Sequence, residues 1–368
     1  MKTRDYVIEY QKTLDDSGTL IKDLDAVEPI SALYLEFEAA NGATSNKGNF
    51  LSDVITKIEI TDGGDVEYSV NLSQLEALYF YKTHKLPVLF PSEWAAGTQR
   101  HGVYMLFGRY LWDPTYNLAL ARYTNPQLKI TSNLSAIRTA DGTGFDTATL
   151  KATIVAKLMK EVPAAPTFLA AKETEPFTSA ASGEKRVELN RDRIYRLLLL
   201  RFWLQGYDVN EIVSDVKLTA DMDDYVVFNR KLQQLDAEAL AEYGAPGYKH
   251  DMLFGHGDSI RVLFNKEPFA TPYAQAPGTP RMFNLTAQWS SLLSELEVYA
   301  HDGSLDTTDR KVTAWVRGHA LHACVPVVFG ILNEPNTWFD PRVYKKLELV
   351  LTQGTASAAC SVVAEQVR

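Results

Sequence analysis

One phrase occurs twice in this chain. VITKIEITDGGDVEYSV at residues 54–70 and IVSDVKLTADMDDYVVF at residues 212–228 each place two runs of alternating apolar residues around a short acidic turn. That is the pattern of a hairpin with one buried face. A single hairpin can recur by chance, so its weight depends on what flanks it. Ser17–Phe37 lies on Ser182–Phe202 without a gap, at a constant offset of 165. Leu24 meets Leu189, and Leu33, Leu35 and Phe37 meet Leu198, Leu200 and Phe202.

A longer loop in the first copy, EAANGATSNKGNFLSD, then reduces the offset to 158 and sets Ile58, Ile60 and Thr61 on Val216, Leu218 and Thr219. Each hairpin is followed by a stretch with helical spacing, NLSQLEALYFYKTH and KLQQLDAEALAEYG. The series continues with Leu106 and Phe107 on Leu263 and Phe264, and closes with KATIVAKL at 151 on KVTAWVRG at 311. Order recurs while differences collect in loops, where insertions are tolerated. One supersecondary plan is used twice, and Ile58 and Val216 are expected at equivalent inward-facing positions.

Strand-like segments in the first copy lie near residues 5–11, 19–25, 30–38, 53–61, 65–71, 102–109, 117–131 and 148–158. Eight short strands with hairpin signals and long loops, without regular alternation of strand and helix, point to a sandwich. The fold expected is all-β: two tandem eight-stranded jelly-roll sandwiches with helices in the connecting loops. The expected division is an N-terminal roll at 1–162, a linker at 163–166 and a C-terminal roll with a C-terminal extension at 167–368. Pro163 and Pro166 in KEVPAAPTF mark the linker.

Composition narrows the function. At 368 residues, 46% hydrophobic and 23% charged, the chain can bury a large core. A net charge of -9 without a basic run argues against sequence-specific nucleic-acid binding. Cys324 and Cys360 are the only cysteines, which excludes a disulfide framework, and both are expected to stay reduced. The first residues have no signal-peptide pattern, so a cytoplasmic origin is expected and the glycosylation-type triplets at Asn71, Asn133 and Asn284 are read as chance.

The segment FGRYLWDPTYNLALARYTNPQLKITSNL (Phe107–Leu134), with the hairpin and helix before it, resembles the double jelly-roll major capsid proteins of tailless icosahedral viruses and bacteriophages that contain a membrane. The resemblance covers essentially the whole chain. It implies a structural protein, not an enzyme, with no cofactor and no catalytic, cofactor-binding or metal residue to carry over. It also implies a homotrimer whose six upright rolls form a pseudo-hexagonal capsomer. Its partners would be neighbouring capsomers, vertex or minor capsid proteins and an internal membrane. Its location would be the virion, after assembly in the host cytoplasm.

Candidate chemistry is sparse. NGATSNKG lacks phosphate-loop spacing, and GHGDS at 255–259 lacks the rest of a dinucleotide fingerprint. In HALHAC an extended chain puts His322 and Cys324 on one face and His319 on the other, so one strand cannot offer all three to one ion. Asp62 and Asp65, or Asp221, Asp223 and Asp224, could hold calcium but read as solvated turn residues. Tyr79, Phe80 and Tyr81, or Trp112 and Tyr116, could stack on sugars or bases but read as core and contact residues. The irregular apolar stretch at 85–97 is expected to lie against a neighbour or under the rolls, with packing on its own domain as the alternative. The alternative function is a double jelly-roll glycan-binding or glycan-cleaving protein, which needs carboxylates in a cleft.

Overall fold

The computed structural model describes residues 2–43, 45–46, 48–135, 144–254, 259–275, 282–286, 293–299 and 310–368. The first roll contains β1 (Lys2–Thr13), β2 (Ser17–Asp23), β3 (Ile30–Ala40), α1 (Leu51–Val54), β4 (Ile55–Asp62), β5 (Asp65–Val70), α2 (Leu72–Thr83), β6 (Val88–Phe90), β7 (Thr98–Leu106), β8 (Pro126–Asn133) and β9 (Lys151–Lys160). One sheet runs β1-β9-β3-β7-β6, and β2-β8-β4-β5 faces it. This interleaved order, in which neighbours in space are far apart in sequence, is the winding of a jelly roll.

The second roll uses β10 (Leu169–Glu173), β11 (Phe177–Thr178), β12 (Glu184–Glu188), β13 (Tyr195–Trp203), α3 (Val209–Ile212), β14 (Val213–Ala220), β15 (Tyr225–Lys231) and α4 (Leu232–Tyr243). An inserted set follows: β16 (Gly247–Phe254), β17 (Ser259–Arg261), β18 (Phe264–Gln275), β19 (Met282–Thr286), β20 (Leu293–Tyr299) and β21 (Arg310–Leu321). The roll is completed by β22 (Cys324–Val328), β23 (Leu347–Gln353) and β24 (Ala359–Val367). Its sheets, β10-β24-β13-β22 and β12-β23-β14-β15, repeat the order of the first roll.

The repeated hairpin is therefore the same element twice. Ile58 and Val216 are both fully buried, and each hairpin carries a register shift at the matching place, between Ile60 and Thr61 and between Leu218 and Thr219. A bulge kept at one position in both copies marks a shared bend. The turns differ. Gly63 supplies a positive φ of 60° in the first, whereas Asp221, Met222 and Asp223 adopt φ of 53°, 59° and 72° in the second.

Several expectations need correction. The expected strand at 53–61 begins with the helical turn α1, and the one at 117–131 condenses to β8 after an irregular run that includes a short 3-10 turn at Leu120–Arg122. Leu263 and Phe264 do not match Leu106 and Phe107, and Lys311 does not begin a counterpart of β9, since both lie in the insertion. The true counterparts are β22, which pairs with β13 as β7 pairs with β3, and β24, which pairs with β13 as β9 pairs with β3. β24, at the far end of the residues expected as a C-terminal roll with its extension, lies between β10 and β13. HALHAC is no single strand: the chain turns between β21 and β22, with positive φ at Ala320, His322 and Ala323.

Candidate functional site: the seam between the rolls

The second roll's β13 reads YRLLLLRFW, an apolar run where β3 alternates LYLEFE. A strand buried on both faces gives a continuous run, and one buried on a single face alternates. Leu198, Leu200 and Phe202 point into the second roll's own core. Leu197 and Leu199, with Cys324 and Val363 on the neighbouring strands, point out of it and join the first roll's core. The first roll thus covers the outer face of this sheet. The edges also meet, Ser69 of β5 bridging in parallel to Lys172 of β10, so that one nine-stranded sheet crosses both rolls.

The covering element is α2. It starts cleanly because Asn71 accepts from the Gln74 backbone N–H at 2.8 Å and the Gln74 side chain accepts from the Asn71 N–H at 2.9 Å. It stops where His84 turns left-handed at φ 57°. Between these caps nearly every side chain is buried, polar ones included, so helices are not merely loop decoration. Such groups must find partners, and they find them across the seam.

Glu76 accepts from His101 Nδ1 at 2.8 Å in its own roll and from His322 Nε2 at 2.5 Å in the second. Burial alone pushes the Glu76 carboxyl up, but His101 and then His322 outweigh it and hold the group near about 2. Gln74 donates to Glu173 at 2.6 Å and to Ser361 at 2.9 Å. The Tyr81 hydroxyl donates to the Cys324 carbonyl at 2.8 Å. At the end of the helix Lys82 pairs with Glu365, whose other oxygen takes the Arg196 guanidinium at 2.7 Å. Arg196 also donates to the Leu332 carbonyl at 2.8 Å. Burial lowers the Lys82 pKa, while Glu365, which burial would raise, is held down by Lys82 and Arg196. One carboxylate shared by two cations offsets the desolvation of all three.

Further joints bind the insertion. Arg261 clamps Asp53 at 2.6 and 3.1 Å and lies over the Phe50 and Trp203 rings. The stretch at 85–97 serves the same joint. Trp94 donates to the Met252 carbonyl at 3.0 Å, the Leu253 N–H donates to Glu93 at 2.9 Å, and Ser92 bridges to Asp251. Its cover is therefore largely this chain's own second roll; Phe90 remains 43% exposed. His250 lies buried near Glu93, and burial, aided by His101, pushes its pKa down to about 3.

The residues singled out from sequence are dispersed. Phe80 and Tyr81 are buried in the seam, with Tyr79 half-buried beside Tyr104. Tyr116 packs on Trp338 at 5.8 Å, and the Trp112 N–H donates to Ser31. Asp62 accepts from the Thr124 and Asn125 N–H groups, and Asp221 from those of Lys345 and Lys346. In each roll an acidic turn residue thus ties the hairpin to the segment before the next long strand. Asp223 pairs with Lys217 and Arg186. His319 sits 3.3 Å from Asp236, apart from the His322 and Glu76 pair. Among the described residues no three metal-ligating side chains converge. Both cysteines are free, and burial pushes the Cys324 thiol up to about 12 and the Cys360 thiol up to about 11. Residues 255–258 of GHGDS lie outside the described residues.

No motif announced Glu76, Lys82, Arg196 or Glu365. Their signal was a charge inside an apolar run, as in YRLLLL and VVAEQV, which demands a buried partner.

No protein-family model and no curated protein sequence matches the chain. Solved structures do. The major capsid protein of Sulfolobus turreted icosahedral virus is similar over 100% of this chain and 97% of its own, with 12% identity and a TM-score of 0.61. A chain of the PBCV-1 virus capsid matches over 100% and 93%, with 9% identity and a TM-score of 0.55. The major capsid protein of bacteriophage PM2 matches over 100% and 97%, with 10% identity and a TM-score of 0.54. The chain has the double jelly-roll fold that these proteins share.

Proposed function

We propose that the protein is the major capsid protein of an icosahedral virion, a structural subunit without catalytic activity. The observation that carries this reading is the seam. Two rolls of one strand order are joined by a shared sheet and a buried ionic cluster into one block, as a building tile requires. Likeness to capsid proteins along the entire chain supports it. The division into rolls at 1–162 and 167–368 about a linker at 163–166 belongs to this proposal. So do a homotrimeric, pseudo-hexagonal capsomer and contacts with neighbouring capsomers and with vertex or minor capsid proteins. The reading extends to a bacteriophage-type virion, assembled in the host cytoplasm and able to enclose a membrane, with no sequence-specific nucleic-acid contact.

Light scattering of the purified chain tests it. The expected mass is about three times the 41.1 kDa chain, with shells or hexagonal tiles visible by electron microscopy at high concentration. A monomer at micromolar concentration would overturn it.

A further inference from the structure

We propose that the outer face of the inserted sheet binds an acidic glycan, holding one carboxylated sugar in a small pocket at its edge and stacking the neighbouring ring on an exposed aromatic side chain. This goes beyond a structural role for the subunit and rests on the chemistry of one surface.

The inserted sheet runs β16-β21-β18. Its inner face joins the first roll's core through Tyr248 and Met252 of β16 and Val312, Ala314 and Val316 of β21. Side chains alternate along a strand, so the residues between these face outward. The ladders set two rows on that outer face: Lys249, Trp315 and Thr271 in one, and Gly247, Arg317 and Phe269 in the next. Trp315 is 45% exposed and Phe269 48%, and Lys249, Thr271 and Arg317 are exposed beside them.

Gly247 shapes this platform. A Cβ there would run into Trp315 Nε1 and come within 2.8 Å of Arg317 Cγ, so the missing side chain lets the indole lie against β16 beside the arginine stem. Among the described residues no acceptor meets the indole N–H and no carboxylate pairs with Arg317. An arginine left without an acid in a chain of net charge -9 is a ready two-pronged donor for a carboxylate. Next to Arg317 and Phe269 the surface dips into a pocket of about 270 Å³, lined also by Gly318, His319, Leu240 and Ala245. That space holds a single sugar ring.

The mixture of groups favours a sugar over a protein partner. Trp315 and Phe269 are set among cations and a hydroxyl, whereas protein contacts keep charge out of their centres. A sugar presents an apolar ring face to an aromatic side chain and turns its hydroxyls and carboxylate to the polar groups around it.

The test is retardation of the purified chain in native gels that contain polygalacturonate, hyaluronate or polysialic acid, with dextran as the neutral control. At least one carboxylated polymer is expected to retard the chain, its methyl ester to do so at least about fivefold less, and dextran not at all. Trp315→Ala and Arg317→Ala are each expected to weaken binding about fivefold or more, while Lys12→Ala, which removes an exposed cation on β1, leaves it unchanged. Retardation by none of the three polymers overturns the site, and so does an equal loss from Lys12→Ala and Arg317→Ala. Light scattering of the same variants, with Phe269→Ala, separates this from assembly. A change of association state on Trp315→Ala or Phe269→Ala assigns the face to a second copy and overturns the glycan site. A native chain that is monomeric yet retarded keeps the site and overturns only the assembly reading.

Discussion

The helices α2 and α4 occupy the same place in the two rolls, each directly after the second strand of the repeated hairpin, and each is twelve residues long. The first is buried on all sides and satisfies its polar groups through a foreign sheet. The second buries Leu232, Leu235, Asp236 and Ala239 and leaves Gln233, Gln234, Ala237 and Glu238 in water. The backbone plan is constant, so the difference comes from what lies opposite. A duplicated unit has two copies of every face but, within one chain, a single seam.

Breaking the inner seam should produce the largest effect. Glu365→Ala leaves Lys82 and Arg196 buried without a counter-charge and is expected to cost about 3–5 kcal/mol in denaturant unfolding. Glu242→Ala, at the matching position of Lys82 on α4, should change the stability of the isolated chain by less than about 0.5 kcal/mol. Equal losses from the two would erase the distinction between the helices.

Acid should act on the same side of the comparison. His250 takes its proton near 6.5 when unfolded and only near about 3 in the fold. Protons therefore favour unfolding across that window. The contribution is complete above pH 6.5 and is lost as pH falls towards 3, with a loss on the order of 2–3 kcal/mol by pH 4. Glu76, held near about 2 against an ordinary 4.5, adds to the loss only below pH 4.5. His250→Gln should flatten the stability profile between pH 6.5 and 4, measured as unfolding midpoint against pH. A profile unchanged by the substitution would remove His250 from this account.

How much was legible in the sequence follows from the same comparison. The strands up to the helix align because their lengths differ by single loops: Leu33, Leu35 and Phe37 really do match Leu198, Leu200 and Phe202. Beyond α4 the alignment fails, because the insertion from β16 to β21 supplies alternating sequence of its own, and periodic strands align with one another readily. The true continuation was present. Phe107 and Gly108 match Phe329 and Gly330, each pair directly after a strand that pairs with the central one, and LKIT at 128 matches LVLT at 349. The seam was less legible still, since Lys82 and Glu365 are 283 residues apart and only the packed rolls bring them together.

The two turns sharpen the comparison at its smallest scale. The first hairpin places Gly63 where the backbone needs a positive φ, whereas the second forces Met222, 77% exposed, to φ 59°. Met222→Gly should raise stability by about 0.5–1 kcal/mol, read as a shift in unfolding midpoint. The reciprocal Gly63→Met should lower it by a similar amount. A loss on Met222→Gly would mean that the acidic turn is not strained.

The position of Glu365 also orders events during synthesis. Lys82 leaves the ribosome long before the carboxylate that neutralises it, and so does Arg196. Until β24 is laid between β10 and β13, the first roll carries an unpaired cation on α2 and the outer face of β13 lacks its central neighbour. A chain that has not yet reached Glu365 therefore cannot close the joint between the rolls. The strand that carries Glu365 thus acts as a latch, set only after both of the cations it neutralises have been made.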